Sequence, residues 1–350
     1  MAIGTMKNLY YNSQLLRCSL FHSIPSSSQT LEESIKAAIE TKTYHQIPDL
    51  LISTTTTSSP PYGNPNNPFS FLSSFSQPLK TKIIDEILQS FIPLRPRSRP
   101  QIAYAYLLSY TLQDPNPFPL ALAVLQRTLR SGCLPSPQTH LSLSSAWLDR
   151  RQHCSLRSTT VFDILSEVQS IGYRPDRGTC NYLISSLCAV DELGESVRVL
   201  EGMGSAGCDP DSESYGTVIS AMCEARRTKE AEALVREMGR VGVVLRQGTV
   251  GRIVAAMKAN GEVRRGVQMV RWLEREGYGG GIGFEVYEMV VEGCLERGEF
   301  ILAGEMVMDM AEKGFIPYVG VRLMVFERLV GVGKPELAYL VRQKLATLKS

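Results

Sequence analysis

The sequence has few of the features that mark a membrane protein or a metalloenzyme. No apolar run reaches about 18 residues, so no transmembrane helix is expected. The eight cysteines include no Cys-x-x-Cys pair, and the four histidines form no His-Glu-x-x-His or deaminase-type pattern. No pair of carboxylates is singled out by its spacing. We therefore expect no catalytic site, no bound metal, no cofactor and no small-molecule substrate.

A phosphate-binding loop and a strongly basic surface are also missing. The glycine-rich stretch at 277–285 is not followed by Gly-Lys-Ser or Gly-Lys-Thr, and no strand is predicted before it. The formal net charge of +2 supplies little non-specific attraction to nucleic-acid phosphates. With 43% hydrophobic and 21% charged residues, the composition is typical of a globular protein.

Acidic residues are absent from residues 1–31, which carry Lys7, Arg17 and several serines. A basic, acid-poor, serine-containing N terminus is typical of an organellar transit segment. We predict such a segment over residues 1–29. A plain disordered N terminus is the alternative.

A repeating pattern occupies most of the remaining chain. Glycines recur at steps of 40, 35, 35, 35 and 37 residues, namely Gly132, Gly172, Gly207, Gly242, Gly277 and Gly314. Eleven places before them stand the mostly small residues Ala121, Val161, Ser196, Ala231, Gly266 and Ala303. Four places before them stand the mostly apolar residues Thr128, Val168, Met203, Met238, Leu273 and Met310. Three series in one phase indicate a repeat array.

The unit at 177–211 predicts a helix, a short turn, a second helix and a loop. Its apolar residues fall on one helical face over 182–188 and again over 193–203. Gly207 stands where a left-handed helix stop is needed, and Pro210 cannot continue a helix. Asp211 can cap the helix of the next unit. One hairpin cannot bury its apolar face alone, so stacked hairpins predict a solenoid wound in either sense.

This unit resembles the pentatricopeptide repeat. Residues 177–211 carry the pattern best, at Asn181, Leu187, Cys188, Met203, Gly207, Pro210 and Asp211, and residues 212–246 and 284–318 follow it closely. The 34-residue step and Trp-x-x-Leu-Gly pattern of a tetratricopeptide array are not matched. The resemblance implies an all-α fold, a right-handed α-α superhelix of helix-turn-helix repeats.

The predicted organisation follows from this phase. Repeats are placed at 102–136, 137–176, 177–211, 212–246, 247–281 and 284–318, with a partial repeat at 319–345. Residues 30–101 are predicted as atypical helices, beginning with a capping box at Thr30 and Glu33. The polar, proline-rich residues 53–78 are predicted as a flexible insertion between them.

The family implies single-stranded RNA binding, with one base read by the fifth and thirty-fifth residues of each repeat. Asn181 and Asp211 form the one pair suited to a base, and the family code implies uracil. The weaker pairs are Tyr106 with Ser136, Leu141 with Asp176, Gly216 with Arg246, Gly251 with Gly281, and Glu288 with Tyr318. The apolar second residue and the thirteenth lysine of the family pattern are mostly missing.

Two functions therefore stay open at the level of sequence. One is an RNA-binding adaptor in transcript processing, stability, splicing or translation, supported by the resemblance and by Asn181 with Asp211. The other is a protein-interaction scaffold, supported by the eroded base-reading positions. The family and the N terminus favour a mitochondrial location, with the plastid as the alternative.

Overall fold

The computed structural model describes residues 27–55, 67–153, 160–277 and 282–348. Within these ranges the protein is all α, with seventeen α-helices, three short 3-10 helices and no strand. None of the helices in the described part is both long and apolar enough to cross a bilayer. The chain divides into two compact units, residues 1–138 and 139–350. Of the predicted transit segment, residues 1–26 lie outside the described ranges.

The first unit contains an irregular group of helices followed by one hairpin. Its helices are α1 (Ser27–Glu40), α2 (Ile47–Thr55), α3 (Gln77–Ser90), α4 (Gln101–Leu112) and α5 (Leu120–Arg130), with 3-10 helices at Tyr44–Gln46 and Ser70–Ser74. The core is built from fully buried apolar side chains on these helices, including Ile35, Ile84 and Tyr104. An ion pair between Lys80 and Asp114 joins α3 to the end of α4. The α4–α5 hairpin corresponds to the predicted repeat at 102–136.

The prediction of a flexible insertion over 53–78 is wrong for residues 67–78. Phe69 and Leu72 are fully buried, and α3 begins at Gln77. The Asn67 amide donates to the Tyr106 carbonyl at 2.9 Å and accepts from the Phe69 N–H at 3.0 Å. The apolar residues in this polar stretch therefore give it a place in the core. Residues 56–66 lie outside the described ranges.

The start of the first helix also differs from the prediction. Helix α1 begins at Ser27, so Thr30 lies within the helix and does not occupy its N-cap. The helix ends at Glu40, and a separate 3-10 helix covers Tyr44–Gln46.

The second unit is a row of helical hairpins. Its helices are α6 (Pro137–His153), α7 (Val161–Ser166), α8 (Arg177–Ala189), α9 (Leu193–Met203), α10 (Ser212–Glu224), α11 (Thr228–Arg240), α12 (Gln247–Ala259), α13 (Val263–Glu276), α14 (Phe284–Glu296), α15 (Phe300–Glu312), α16 (Val319–Gly331) and α17 (Pro335–Thr347). A 3-10 helix, Glu167–Ile171, extends α7. Each predicted repeat from 177 onward holds one hairpin of two packed helices, which confirms an all-α solenoid of helix-turn-helix repeats. The right-handed sense of the superhelix stays a prediction.

The periodic glycines end the second helices as predicted. All six have positive φ, between +70° and +84°. In five repeats the residue after the glycine donates its N–H to the carbonyl four places before the glycine. These bonds are Cys133 to Thr128, Tyr173 to Val168, Cys208 to Met203, Val243 to Met238 and Phe315 to Met310, at 3.0–3.2 Å. This is the Schellman stop, and it explains why two of the sequence series share one phase.

A second left-handed position recurs inside the hairpins. The turn between the two helices has positive φ at Asp191, Arg226, Gly261, Gly298 and Gly333, at steps of 35, 35, 37 and 35 residues. This series is not evident in the sequence because its first two members are not glycine. In the hairpins from α8–α9 to α14–α15, the turn between the helices and the end of the second helix each contain a left-handed residue.

The first helices of the repeats form the tighter layer. Helices α8, α10, α12 and α14 pack directly against one another, while α11, α13 and α15 are less closely packed. Ala231 and Ala303, from the series of small residues, are fully buried on the second helices. From α8 to α14, the first helices of successive repeats are therefore closer to one another than the second helices are.

Candidate nucleic-acid interface

Asn181 and Asp211 meet at the junction of two successive first helices. Asn181 lies on α8, and Asp211 is the N-cap of α10. The Ser214 hydroxyl lies between them, 2.6 Å from Asn181 Oδ1 and 3.1 Å from Asp211 Oδ1. The link between the two predicted residues therefore passes through Ser214, which is fully buried.

Asp211 caps its helix in a complete capping box. Its Oδ1 accepts the N–H of Glu213 and that of Ser214, each at 3.0 Å. The Asp211 N–H donates to the Ser214 hydroxyl at 3.1 Å. These bonds fix the Asp211 carboxylate and the Ser214 hydroxyl, and through the hydroxyl they fix the Asn181 amide.

The carboxylate of Asp211 is held in its ionised form. Burial alone would raise its pKa, but the hydrogen bonds from Ser214 and Glu213 and the charge of Arg177 outweigh that effect and lower the pKa. Arg177 Nη1 lies 3.4 Å from Asp211 Oδ2, and Arg177 Nε donates to the Asp209 carbonyl at 3.0 Å. Asp211 is thus an acceptor only, and its role is to position its neighbours.

The Asn181 amide retains a donor for a ligand. Its Oδ1 accepts from Ser214, and its Nδ2 makes no hydrogen bond within the described residues. This orientation of the amide follows from the hydrogen-bond network. A pyrimidine carbonyl such as uracil O4 can accept from Nδ2, whereas the amino group of cytosine at that place would oppose it.

Ser214 was missed at the level of sequence, although a signal for it exists. Asp211 and Ser214 are three residues apart at the start of a helical run, which is the spacing of a capping box. The Asp211-x-x-Ser214 pattern could have placed a hydroxyl beside Asn181, had the stacking of the two repeats been known.

The first of the weaker pairs is unsuited to contact with a base. Tyr106, on α4, is only 5% exposed, and burial raises its pKa. The Ser136 hydroxyl is also buried. In the next pair, Leu141 lies half-exposed on α6, and Asp176 caps α8 by accepting from the Thr179 N–H at 2.9 Å.

The three later pairs differ from these in their side chains and contacts. Gly216 offers no side chain, and Arg246 is an exposed residue at the N-cap position of α12 without a side-chain capping bond. Gly251 lies on α12, while its predicted partner Gly281 falls outside the described residues. Glu288 and Tyr318 do meet, since Glu288 Oε1 accepts the Tyr318 N–H at 3.1 Å.

Three arginines on the side of the first helices are candidates for phosphate contacts. Arg177 is 54% exposed beside Asp211, and Arg252 on α12 donates to the Ser220 hydroxyl of α10 at 2.5 Å. Neither Arg246 nor Arg252 forms an ion pair within the described residues. Arg177 begins α8, which carries Asn181, and Arg246 and Arg252 belong to α12, so they lie on the two first helices that pack against α10 and Ser214.

Two arginines of the second helices form ion pairs with carboxylates of the next repeat. Arg264 lies 2.9 Å from Glu299, and Arg271 lies 3.2 Å from Glu305 and 2.7 Å from Asp309. These ion pairs bridge consecutive repeats and hold the looser layer together. Much of the positive charge in residues 212–281 therefore stabilises the solenoid and is not free for phosphate.

No cluster of three or more His, Cys, Asp or Glu side chains suited to a metal occurs in the described part of the chain. The expectation that the protein holds no metal and has no catalytic site stays a prediction.

The chain is similar to known repeat proteins over nearly its whole length. Residues 178–208 and 206–239 each match a family model described as PPR repeat. Over 345 residues the chain is 52% identical to a pentatricopeptide repeat-containing protein of Arabidopsis thaliana, with 98% of this chain and 97% of that protein covered.

The solved structures that the chain resembles are less similar to it in sequence. The chain is similar to the pentatricopeptide repeat protein PPR10 from maize, at 16% identity over 93% of this chain and 48% of that one, with a TM-score of 0.40. PPR10 in complex with an 18-nt psaJ RNA element gives a TM-score of 0.35, at 16% identity over 87% of this chain and 48% of that chain. Nuclear proteinaceous RNase P 2 from A. thaliana gives a TM-score of 0.33, at 17% identity over 55% of this chain and 42% of that chain. The chain spans about half the length of these solved chains.

Proposed function

This chain belongs to the pentatricopeptide repeat family, and on that premise we propose that it is a single-stranded RNA-binding adaptor. The observation that carries the proposal is the hydrogen-bonded group of Asn181, Ser214 and Asp211. It lies where residues 178–208 adjoin residues 206–239, the two segments that match the family model. The Asn181 Nδ2 donor faces no partner within the described residues, so a base can take that place.

The proposed contact has a defined chemistry. One base lies over the junction of α8 and α10, and its carbonyl accepts from Asn181 Nδ2. Asp211 and Ser214 hold the amide in this orientation, so little conformational entropy is lost on binding. Arg177, Arg246 and Arg252 bind the adjoining phosphates.

The adaptor acts on transcripts in an organelle, in their processing, stability, splicing or translation. The acid-free, serine-containing residues 1–31 support an organellar location, for which we propose the mitochondrion, with the plastid as the alternative. A fluorescent fusion of the full chain should enter the organelle, and a fusion lacking residues 1–29 should remain outside. Equal uptake of the two fusions would contradict the transit segment.

Ultraviolet crosslinking in isolated organelles tests the function. The tagged full chain is crosslinked and purified under denaturing conditions, and the attached RNA is sequenced. We expect recovery of a small number of transcript segments containing uracil, and we expect their loss when Asn181 is changed to leucine. Recovery no greater than from an untagged control would contradict RNA binding.

A further inference from the structure

A groove between α12 and α14 has a character unlike that of the α8–α10 junction. It has a volume of about 780 Å³ and lies on the side of the first helices. Its lining includes Lys258 on α12, Glu288 and Glu292 on α14, and Tyr318 at the start of α16. The groove is therefore built by repeats 247–281 and 284–318, and the proposed function does not use it.

Glu288 is a buried carboxyl group with an unused acceptor at the groove wall. The residue is 5% exposed, and its Oε1 accepts the Tyr318 N–H. Its Oε2 is buried and has no hydrogen-bond partner within the described residues. Burial raises the pKa of Glu288, and the nearby Glu292 carboxylate raises it further. A buried acceptor without a donor is costly, so a ligand that donates to Oε2 would be stabilised there.

The groove carries an excess of negative charge. Four glutamates line it, at 285, 288, 292 and 296, against the two cations Lys258 and Arg297. Lys258 Nζ lies 3.0 Å from Glu292 and 3.0 Å from Glu296, so the lysine is already engaged by carboxylates. A phosphate would be repelled from this groove, whereas a cation would be attracted to it.

An aromatic ring adjoins the acidic wall, and exposed apolar residues of α16, which line a separate groove with α17, follow it in the chain. Tyr318 is 66% exposed, and its ring packs at a right angle to Phe284 with 5.1 Å between centroids. Beyond it, Val319 and Leu323 of α16 are 61% and 58% exposed. A flat cation can pack against the tyrosine while apolar neighbours in the same ligand cover α16.

We propose that this groove binds an arginine side chain of a partner polypeptide, with the guanidinium donating to Glu288 Oε2 and lying beside Tyr318. The apolar residues next to that arginine contact Val319 and Leu323. Arginine fits because its planar head combines hydrogen-bond donors with a face that packs on an aromatic ring. The charge of the groove selects a basic polypeptide over RNA at this end of the chain.

Fluorescence anisotropy with the full chain tests the proposal. The probe is a fluorescein-labelled peptide, Gly-Gly-Arg-Leu-Leu-Gly-Gly, and its matched control carries citrulline in place of arginine. Citrulline keeps the shape of arginine but removes its charge. We expect the arginine peptide to bind at least tenfold more tightly. Equal binding of the two peptides, or no binding of either, would overturn the proposal.

Protein variants then locate the binding. Glu288→Gln should weaken binding of the arginine peptide about tenfold, comparable to loss of one charge-assisted hydrogen bond. Tyr318→Ala, at an exposed position, should weaken it several-fold. Glu224→Gln, the same charge change at an exposed position on α10, should leave binding unchanged. Circular dichroism of each variant checks that it is folded.

RNA is the competing occupant. If Glu288→Gln lowers the affinity for a single-stranded oligouridylate as much as Asn181→Leu does, the groove is part of the RNA-binding face and the proposal is wrong. If the variant loses peptide binding but keeps RNA binding, the two sites are separate and the proposal is supported. Because the two ligands are measured separately, failure of one function is distinguishable from failure of the other.

Discussion

The α8–α10 junction and the α14–α16 junction, whose Glu288 and Tyr318 line the acidic groove, occupy equivalent places in the repeat and differ in chemistry. At the first, Asn181 and Asp211 are joined by Ser214. At the second, the same places hold Glu288 and Tyr318, and Val321 stands where Ser214 would be. Both sites place the fifth residue of one first helix against the start of the next. The backbone thus fixes where a ligand can be contacted, and three side chains decide which ligand that is.

The two sites also differ in the charge around them. Arg177, Arg246 and Arg252 lie along α8–α12, whereas glutamates predominate in the groove. A chain with a net charge of only +2 can therefore offer one end to phosphate and the other to a cation.

The largest effect is expected from the three arginines of the RNA side. Three phosphate contacts predict a slope of about −2 for log K against log salt on single-stranded RNA. Changing Arg177, Arg246 and Arg252 together to glutamine should lower affinity about 100-fold near 0.1 M salt and nearly abolish the slope. In the matched control, Arg236, Arg264 and Arg271 of the second helices are changed to glutamine. An equal loss in that control would show that net charge alone governs binding.

Transferring the Asn-Ser-Asp group of the α8–α10 junction to the acidic groove should change RNA affinity by a smaller factor. The triple change Glu288→Asn, Tyr318→Asp and Val321→Ser places the Asn-Ser-Asp group in the groove. Affinity for an oligouridylate should rise about tenfold, the gain of roughly one base contact. Binding of the arginine peptide should be lost. Isothermal titration measures both, and unchanged RNA affinity in a folded variant would show that these three residues are insufficient.

The two carboxyl groups should respond to pH in opposite directions. The pKa of Asp211 is lowered from 3.8, so its stabilising effect is complete above that pH and is lost as the pH falls through the folded-state value. Asp211→Ala should therefore cost about 1 kcal/mol of unfolding free energy at pH 7 and little in strong acid.

For Glu288 the dependence of stability on pH has the opposite sign. Its pKa is raised from 4.5, so the folded state keeps a proton that the unfolded state releases, and stability falls as the pH rises from 4.5 through the folded value. Glu288→Gln should remove this slope. Urea denaturation of the three proteins across this pH range measures both effects, and a parallel response of the variants would contradict the difference in environment.

The smallest effect concerns the turns that position the first helices. Arg226 has a φ of +58° in the turn where Gly261 stands one repeat later at +73°. Arg226→Gly relieves left-handed strain of about 1–2 kcal/mol but adds entropy to the unfolded chain, so a net gain of about 0.5 kcal/mol is expected. Ala233→Gly, at an exposed position in the interior of α11, should instead destabilise by about 1 kcal/mol. Thermal melting distinguishes the two.

Local chemistry made most of the fold predictable from the sequence. Gly207 and its equivalents have no Cβ, so they mark the left-handed stops, and Asp211 marks a helix start. Asp191 and Arg226 escaped notice because an ordinary residue gives no sign that it is strained. Residues 67–78 were mispredicted because Asn67 and Phe69 gain their place from contacts with the rest of the first unit, which composition does not reveal.

The candidate sites were predictable only where their parts are close in sequence. Asn181 and Asp211 followed from their places in one repeat, and Ser214 belongs to the same capping box. The burial of Glu288 depends on Tyr318 and on the packing of α14 with its neighbours, 30 residues away in the chain. The ion pairs of Arg264 and Arg271 likewise join residues 34 to 38 apart, so they require the stacking of repeats to be known.

The most direct test of the RNA-binding proposal is the affinity of the full chain for a fluorescent oligouridylate, measured for the wild type and for the double variant Asn181→Leu, Asp211→Ala. We predict that the wild type binds the oligouridylate more tightly than the matching oligocytidylate. In the folded double variant, binding to the oligouridylate should weaken by about 1–3 kcal/mol, the range of a single base contact, and the preference should disappear. Unchanged affinity in a folded double variant would contradict the account and leave Asp211 as a helix cap alone.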